Sequence, residues 1–242
     1  LGTFWSIELH SSVPSTQDLI KQAAAQHVPE GLVAQALTQT AGRGRHGRTW
    51  VSDAGNLYLS LLLRPRAHAE NLGELSLMTA VALVQAIDHR GIDEGLISLK
   101  WPNDILLDRQ KCAGILVETD IVQDGRINWV VIGVGVNLSS APPDIAHALN
   151  DYADQPLHPD DLRDRFLENL HSLYQQWTNE GFQPIKKAWL ARAHKPGAAL
   201  SVKIGDDTQS GLFSGIDDRG GLILEIGGAL KTITAGDVFL ED

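Results

Sequence analysis

The sequence predicts an α+β protein: a mixed α/β sheet with helices packed mainly on one face over residues 1–193, then a small C-terminal β-barrel over residues 198–242. Three observations carry this. Strand-like runs recur from Thr3 to Leu138, either alternating apolar with polar or apolar throughout. Two other stretches, 72–89 and 159–177, instead space their apolar residues three and four apart, as helices do. Beyond His194-Lys195-Pro196-Gly197, the best linker in the chain, short runs alternate with the turns Gly205-Asp206-Asp207, Asp217-Asp218-Arg219-Gly220-Gly221 and Gly227-Gly228.

Composition narrows the class. At 242 residues, 43% hydrophobic and 21% charged, the chain has enough apolar residues for a proper core and no signature of disorder. A formal net charge of -10 argues against broad binding of nucleic acid or anionic membrane. The single cysteine, Cys112, excludes an internal disulfide and suits a reducing compartment. No signal peptide precedes the first strand, and no apolar run reaches the roughly 18 residues of a membrane helix, so a cytoplasmic protein is expected.

The elements follow in order. Thr3 to His10 alternates as a half-buried strand, and Ser15 or Thr16 is placed to cap a helix carrying Leu19, Ile20 and Ala23. A cap explains one hydroxyl but not the triplet Ser15-Thr16-Gln17, so ligand binding stays open there. Leu32 to Gln39 is a strand, and Asn56 to Arg64 is apolar at nearly every position, as in a central strand buried on both faces. The helix from Leu72 to His89 presents Leu75, Met78, Thr79, Ala82, Leu83 and Ala86 to a core. Three strands, SLKWPNDILLD, KCAGILVETDIV and INWVVIGVGVNL, are joined by tight turns into an antiparallel meander. Pro159 to Trp177 and a shorter helix around Ile185 to Ala193 complete the packing elements.

Within this frame the run Gln39 to Trp50, QTAGRGRHGRTW, stands out. Gly42, Gly44 and Gly47 alternate with Arg43, Arg45 and Arg48 inside an acidic chain. Glycine lets the backbone approach a ligand closely, and arginine offers a planar fork of donors to phosphate or carboxylate. The loop satisfies Gly-x-Gly-x-x-Gly literally, but strand-like residues follow where a dinucleotide site needs a helix, and no Gly-Lys-Ser/Thr phosphate loop occurs. Further groups are out of place in a plain meander: Lys100, Asn103 and Asp104 around Trp101-Pro102, Lys111 heading an apolar strand, and Asn137 ending another. Turn chemistry accounts for Asn103-Asp104 as well as function does. Lys111 is costly to bury unless an anion meets it. Gly133 and Gly135 weaken a good strand unless something must approach there.

Taken together and in this order, GRGRHGRTW, KWPNDI, KCAGILVE and IGVGVNL resemble the biotin protein ligase family, and the likeness runs from Ser15 through the C-terminal region. It implies a catalytic domain of the class II aminoacyl-tRNA synthetase-like, biotin–lipoate ligase type. It also implies a reaction: biotin and ATP form biotinyl-5′-AMP, and the acyl group then passes to a lysine of a biotin carboxyl carrier protein, as in acetyl-CoA carboxylase. By this resemblance, biotin meets Ser15, Thr16, Gln17, Gln39, Gly42, Arg43, Gly44, Arg45, Lys111, Gly114, Gly133 and Gly135. ATP meets Arg45, Arg48, Trp50, Asn103, Asp104, Lys111 and Asn137. Arg43, Arg45 and Lys111 would carry the catalysis, and Mg2+ would accompany the phosphates.

The likeness has departures. His46 stands where many relatives have arginine, and Ile233 and Glu241 lie near the places of a tryptophan and a terminal arginine that some relatives bring to the nucleotide. Some relatives carry an N-terminal helix-turn-helix and act as repressors. Here the motifs begin by Ser15, so no DNA partner is expected, while both monomers and homodimers occur among the relatives. The rival readings are a DNA-binding regulator, a lipoate or octanoate ligase and a biotin-binding protein without catalysis. Related octanoyl transferases use a cysteine as acyl carrier, but Cys112 fills an apolar strand position and is expected to be structural.

Ordering a glycine-rich loop costs about 1–2 kcal/mol per residue in backbone entropy, so the arginine loop is expected to close on its ligand. Limited proteolysis between Gly42 and Arg48 should slow when biotin and ATP are added together. Equal cleavage rates with and without them would contradict closure.

Overall fold

A computed structural model describes residues 4–87 and 91–240. Thr3, His89 and Glu241, invoked above, lie outside the described residues. A seven-stranded sheet is built from β1 (Ser6–Val13), β2 (Leu32–Gln39), β3 (Leu57–Leu63), β4 (Ile97–Lys100), β5 (Asp104–Leu107), β6 (Gln110–Ile121) and β7 (Ile127–Val136). Its spatial order is β1-β2-β3-β7-β6-β5-β4. Strands β1 and β2 run parallel because α1 (Thr16–Ala25) carries the chain between them, and every other pair in this sheet is antiparallel.

The meander therefore has four strands rather than three. The KWPND run is split into β4 and β5 by a turn whose Trp101 is 3% exposed and donates from Nε1 to Gly220 O at 2.8 Å. That long-range bond, together with the burial of the indole, overrides the strand propensity of the run.

The two faces of the sheet differ by register. Leu57, Leu59, Leu61 and Leu63 of β3, with Ile132, Val134 and Val136 of β7 and Ala113 and Ile115 of β6, form one core with α2 (Leu72–Ile87). Helices α3 (Pro159–Glu180) and α4 (Gln183–Leu190) pack against α2. The predicted stripe on α2 is buried, but so are Leu77, Ala80, Val81 and Val84, because the helix is sandwiched between the sheet and α3. Helix α3 starts with Pro159 and stops at Gly181, whose φ of +80° suits glycine. On the opposite face, α1 rests Ile20 and Ala24 on Leu62 and Val131, covering one end and leaving the other end open.

The C-terminal strands are β8 (Ala199–Ile204), β9 (Asp207–Ile216), β10 (Leu222–Ile226), β11 (Ala229–Ile233) and β12 (Asp237–Leu240), in the order β11-β10-β9-β8-β12. The predicted barrel is thus an open five-stranded sheet, since β11 and β12 end it without pairing to each other. It shares the main core through Leu200, Phe213, Ile216, Leu222 and Val238. Gly73 lets this unit come close, since a Cβ there would lie 2.8 Å from Arg219 O. No helix among the described residues is long and apolar enough to cross a membrane.

Cys112 sits in the core at 0% exposure, its Sγ 3.5 Å from Ile105 O, and burial pushes its thiol up to about 12. A thiol so held is not a nucleophile near neutral pH. Cys112→Ser should keep turnover within about threefold of the parent, as expected for a site outside the chemistry. Complete loss of turnover in a variant that still folds would make the cysteine catalytic.

Candidate active site

The open end of the sheet is a trough because side chains are missing from it. Gly114 of β6 lies opposite Gly135 of β7, and Gly133 of β7 lies between Leu116 of β6 and Ser60 of β3. A Cβ at Gly133 would lie 2.6 Å from Gln17 Oε1, and one at Gly135 would lie 2.6 Å from Trp50 Cε2. A Cβ at Gly114 would lie 3.0 Å from both Lys111 Nζ and Trp50 Cζ3. The glycines therefore admit Gln17, Trp50 and Lys111 to the sheet surface. The trough they leave is part of a cavity of about 310 Å³.

Of the residues predicted from the sequence, Ser15, Thr16, Gln17, Gln39, Arg43, Gly44, Arg45, Arg48, Trp50, Asn103, Asp104, Lys111, Gly114, Gly133, Gly135 and Asn137 all line this cavity. Gly42 does not: a Cβ there would lie 2.6 Å from Ser52 Oγ and 3.1 Å from Gln39 Nε2, so its role is to fit the loop against its neighbours.

One end is polar and uncharged. Ser15, Thr16 and Gln17 are at most 3% exposed at the start of α1. Ser15 holds the N-cap position but makes no side-chain cap bond; Gln39 Oε1 instead accepts from Thr16 N at 2.8 Å and from Thr16 Oγ1 at 3.1 Å. Gln39 Nε2 donates to Ser52 Oγ at 3.0 Å. Thr16 Oγ1 and Ser60 Oγ are 2.9 Å apart, and Ser60 Oγ donates to Gln17 Oε1 at 2.9 Å. The sequence reading passed over Ser60, although its signal was there: a hydroxyl interrupts the leucine run of β3.

The middle is cationic. Lys111 Nζ lies 2.6 Å from Asp104 Oδ1 and 5.2 Å from the centre of a Trp50 ring, and Lys100 Nζ is 3.9 Å from Asp104 Oδ2. Arg45 donates to Asn103 Oδ1 at 3.1 Å and to Gly236 O at 3.2 Å, and it lies 3.6 Å from Asp237 Oδ1. Burial lowers the Arg45 pKa while Asp237 and Asp104 oppose the shift, and a guanidinium stays charged throughout the working range. Arg48 pairs with Asp237, whereas Arg43 turns outward to Asp18, with Glu118 3.8 Å away. The C-terminal sheet thus reaches the cavity through Gly236 and Asp237, which sequence reasoning missed because they lie 191 residues from Arg45 or nearly so.

The loop between Gln39 and Trp50 folds back on itself. Gly44 N donates to Arg48 O at 2.7 Å and Trp50 N to Gly42 O at 2.9 Å, while His46 takes a φ of 55° at the tip. The apolar part of the lining includes Pro142, Ile145 and Ala146, the last bridged to Lys111, another set the sequence reading missed.

The cavity thus combines uncharged hydrogen-bonding groups, clustered cations and apolar side chains in one space, the class of site that takes a small anionic ligand. Family comparison agrees with that class. The profile described as Biotin/lipoate A/B protein ligase family matches residues 9–137, and that described as Biotin protein ligase C terminal domain matches residues 201–241. The chain belongs to the biotin/lipoate A/B protein ligase family.

It is 39% identical over 215 residues to the biotin--[acetyl-CoA-carboxylase] ligase of Paracoccus denitrificans, covering 84% of this chain and 88% of that one. To the bifunctional ligase/repressor BirA of Bacillus subtilis (strain 168) it is 35% identical over 240 residues, covering 96% and 73%. A point mutant of the Aquifex aeolicus biotin protein ligase, in complex with biotin, matches at a TM-score of 0.83 with 26% identity, over 99% of each chain. The Aquifex aeolicus biotin protein ligase in complex with biotin and ATP matches at 0.83 with 24% identity, over 98% and 99%, a likeness of fold.

Ser60→Ala would leave Gln17 Oε1 and Thr16 Oγ1 each short of a buried partner. The expected cost is about 1–3 kcal/mol of stability, read by urea denaturation with an unchanged m-value. A neutral result would mean that the network does not hold the start of α1 to the sheet.

Proposed function

We propose that this chain is a biotin protein ligase, joining biotin to ATP as biotinyl-5′-AMP and then passing the biotinyl group to a lysine of a carrier domain. The observation that carries this reading is the lining of one cavity by uncharged hydrogen-bonding groups at Ser15, Thr16, Gln17 and Gln39, by Arg45 and Lys111, and by apolar side chains. Biotin has a neutral ureido ring at one end and a carboxylate at the other. Ser15, Thr16, Gln17 and Gln39 take the ring, with Ser60 behind them. The carboxylate then points to Arg45 and Lys111, and the adenylate extends past Trp50 toward Asn137.

In the first step a carboxylate oxygen bonds to the α-phosphorus, the α–β phosphorus–oxygen bond breaks, and pyrophosphate leaves. Both reacting groups are anions, so the protein's task is to offset repulsion and align them. Lys111, Arg45 and Arg48 supply charge-assisted donors, roughly twice as strong as neutral ones. An entering anion exchanges with Asp104 on Lys111 and with Asp237 on the arginines. Arg43, paired outward with Asp18, contributes on loop closure. In the second step a lysine amine attacks the acyl carbon, AMP leaves, and the amine loses one proton. No protein nucleophile is needed.

Among the described residues no group of three or more His, Cys, Asp or Glu is placed to hold a metal. The two cavity carboxylates, Asp104 and Asp237, fit the sparser donor set that Mg2+ takes beside substrate phosphates. There it would neutralise phosphate charge. The carrier in this reading is a biotin carboxyl carrier domain of a carboxylase, in keeping with the acetyl-CoA-carboxylase in the name of the Paracoccus denitrificans relative. The reading requires neither DNA nor a membrane.

Pyrophosphate release from ATP tests it. Biotin should trigger release where lipoate and octanoate do not, and Lys111→Ala should lower the rate at least about a hundredfold, the usual scale for a lost charge-stabilising donor. Release with lipoate or octanoate instead would keep the fold and overturn the pocket. Biotin binding without release would leave a binding protein.

A further inference from the structure

Asn56 sits between Gly55 and the start of β3, is 5% exposed, and does not line the main cavity. Its Oδ1 nevertheless accepts from three successive backbone amides, Leu138 N at 2.8 Å, Ser139 N at 2.9 Å and Ser140 N at 3.2 Å. Its Nδ2 donates to Ser140 O at 3.0 Å and to Ser140 Oγ at 3.2 Å. One carboxamide thus fixes a turn at which the chain leaves β7.

From that turn the chain carries Pro142, Ile145 and Ala146 to the cavity. Ile145 is 71% exposed and lines the open side of the cavity. The far end of the segment is tied separately: His147 N donates to Lys111 O at 3.1 Å, and Ala146 bridges Lys111. Between the two anchors, the segment's path is set by Asn56 on one side and by the backbone of the cationic residue on the other. Along β7 the cavity reads Gly133 beside Gln17, Gly135 beside Trp50, then Asn137 and this segment. Successive same-face positions on a strand are about 6–7 Å apart, so Asn137 and the start of the segment lie past Gly135 and Trp50, and the segment then returns to Lys111 at Ala146, enclosing a space that suits a flat heteroaromatic base.

We propose that Asn56 is a positioning residue for the nucleotide: it holds the 138–146 segment so that Pro142, Ile145 and Ala146 wall the base of ATP, without touching biotin. This rests on the ligase reading above. Removing the carboxamide leaves the amides of Leu138, Ser139 and Ser140 without their acceptor and frees the segment to sample other paths. ATP must then order it on binding, while the biotin end, built from α1, β2 and β3, is unaffected.

The test is steady-state pyrophosphate release by the full chain, with KM for each substrate measured on the parent, Asn56→Ala and Asn56→Asp. Asn56→Ala should raise KM for ATP about tenfold, as expected for losing several buried hydrogen bonds, with KM for biotin within about twofold. Asn56→Asp keeps an oxygen for the three amides but sets its second oxygen against Ser140 O where Nδ2 donated, so it should recover only part of the change in KM for ATP. An unchanged KM for ATP in Asn56→Ala, or equal increases for both substrates, would overturn the proposal. If Asn56→Ala does not fold, Asn56→Ser is read by the same split. A parent that releases no pyrophosphate with biotin and ATP would instead overturn the ligase reading, and the proposal with it.

Discussion

Everything at this site depends on the absence of side chains at Gly114, Gly133 and Gly135. The opposite face of the same strands is packed with leucine, isoleucine and valine against α2, as a central sheet requires. A β-carbon at any of these glycines would lie within 3.0 Å of Trp50, Lys111 or Gln17. One face of the sheet is therefore a core and the other a trough, and the register that fixes the first fixes the second.

The electrostatics follow from that geometry. The chain is strongly acidic overall, yet Arg45, Arg48, Lys100 and Lys111 gather at one place, each facing Asp104 or Asp237. Two unit anions about 4 Å apart repel by about 4 kcal/mol at an effective dielectric of about 20. That amounts to roughly a thousandfold in rate. Cations already held in position by Asn103, Gly236 and the two aspartates meet such a pair with little reorganisation, whereas freely mobile surface lysines would not. The acidic remainder of the surface does not undo this, because charges more than about 8 Å away are screened at physiological salt.

Local pattern revealed the elements whose causes are local. The run Leu32 to Gln39 was read as a strand and matches β2 end to end, and the leucine run of β3 announced a central strand. The alternation of glycine and arginine marked the loop, and the lysine heading β6 marked a charge that needed an anion. What stayed hidden was set by distant partners. Gln39 replaces Ser15 as the cap of α1, Trp101 breaks its strand to reach Gly220, and Asp237 arrives from the C-terminal sheet. None of these can be read from a window of ten or twenty residues. The strand pattern marked Gly133 and Gly135 as places where a ligand or another backbone must come close; the side chains of Gln17 and Trp50 lie against them here, and those of Lys111 and Trp50 against Gly114. The barrel was overdrawn because turn spacing predicts strands, whereas closure depends on whether β11 meets β12.

The most direct test of the account is a crystal structure of the chain with biotin and a non-hydrolysable ATP analogue. The account predicts the biotin ring against Thr16, Gln17 and Gln39. Its carboxylate and the α-phosphate should lie within hydrogen-bond distance of Lys111 Nζ and the Arg45 guanidinium, with Asp104 and Asp237 no longer their main partners. Density for the phosphates outside the glycine trough, with Lys111 still on Asp104, would contradict it.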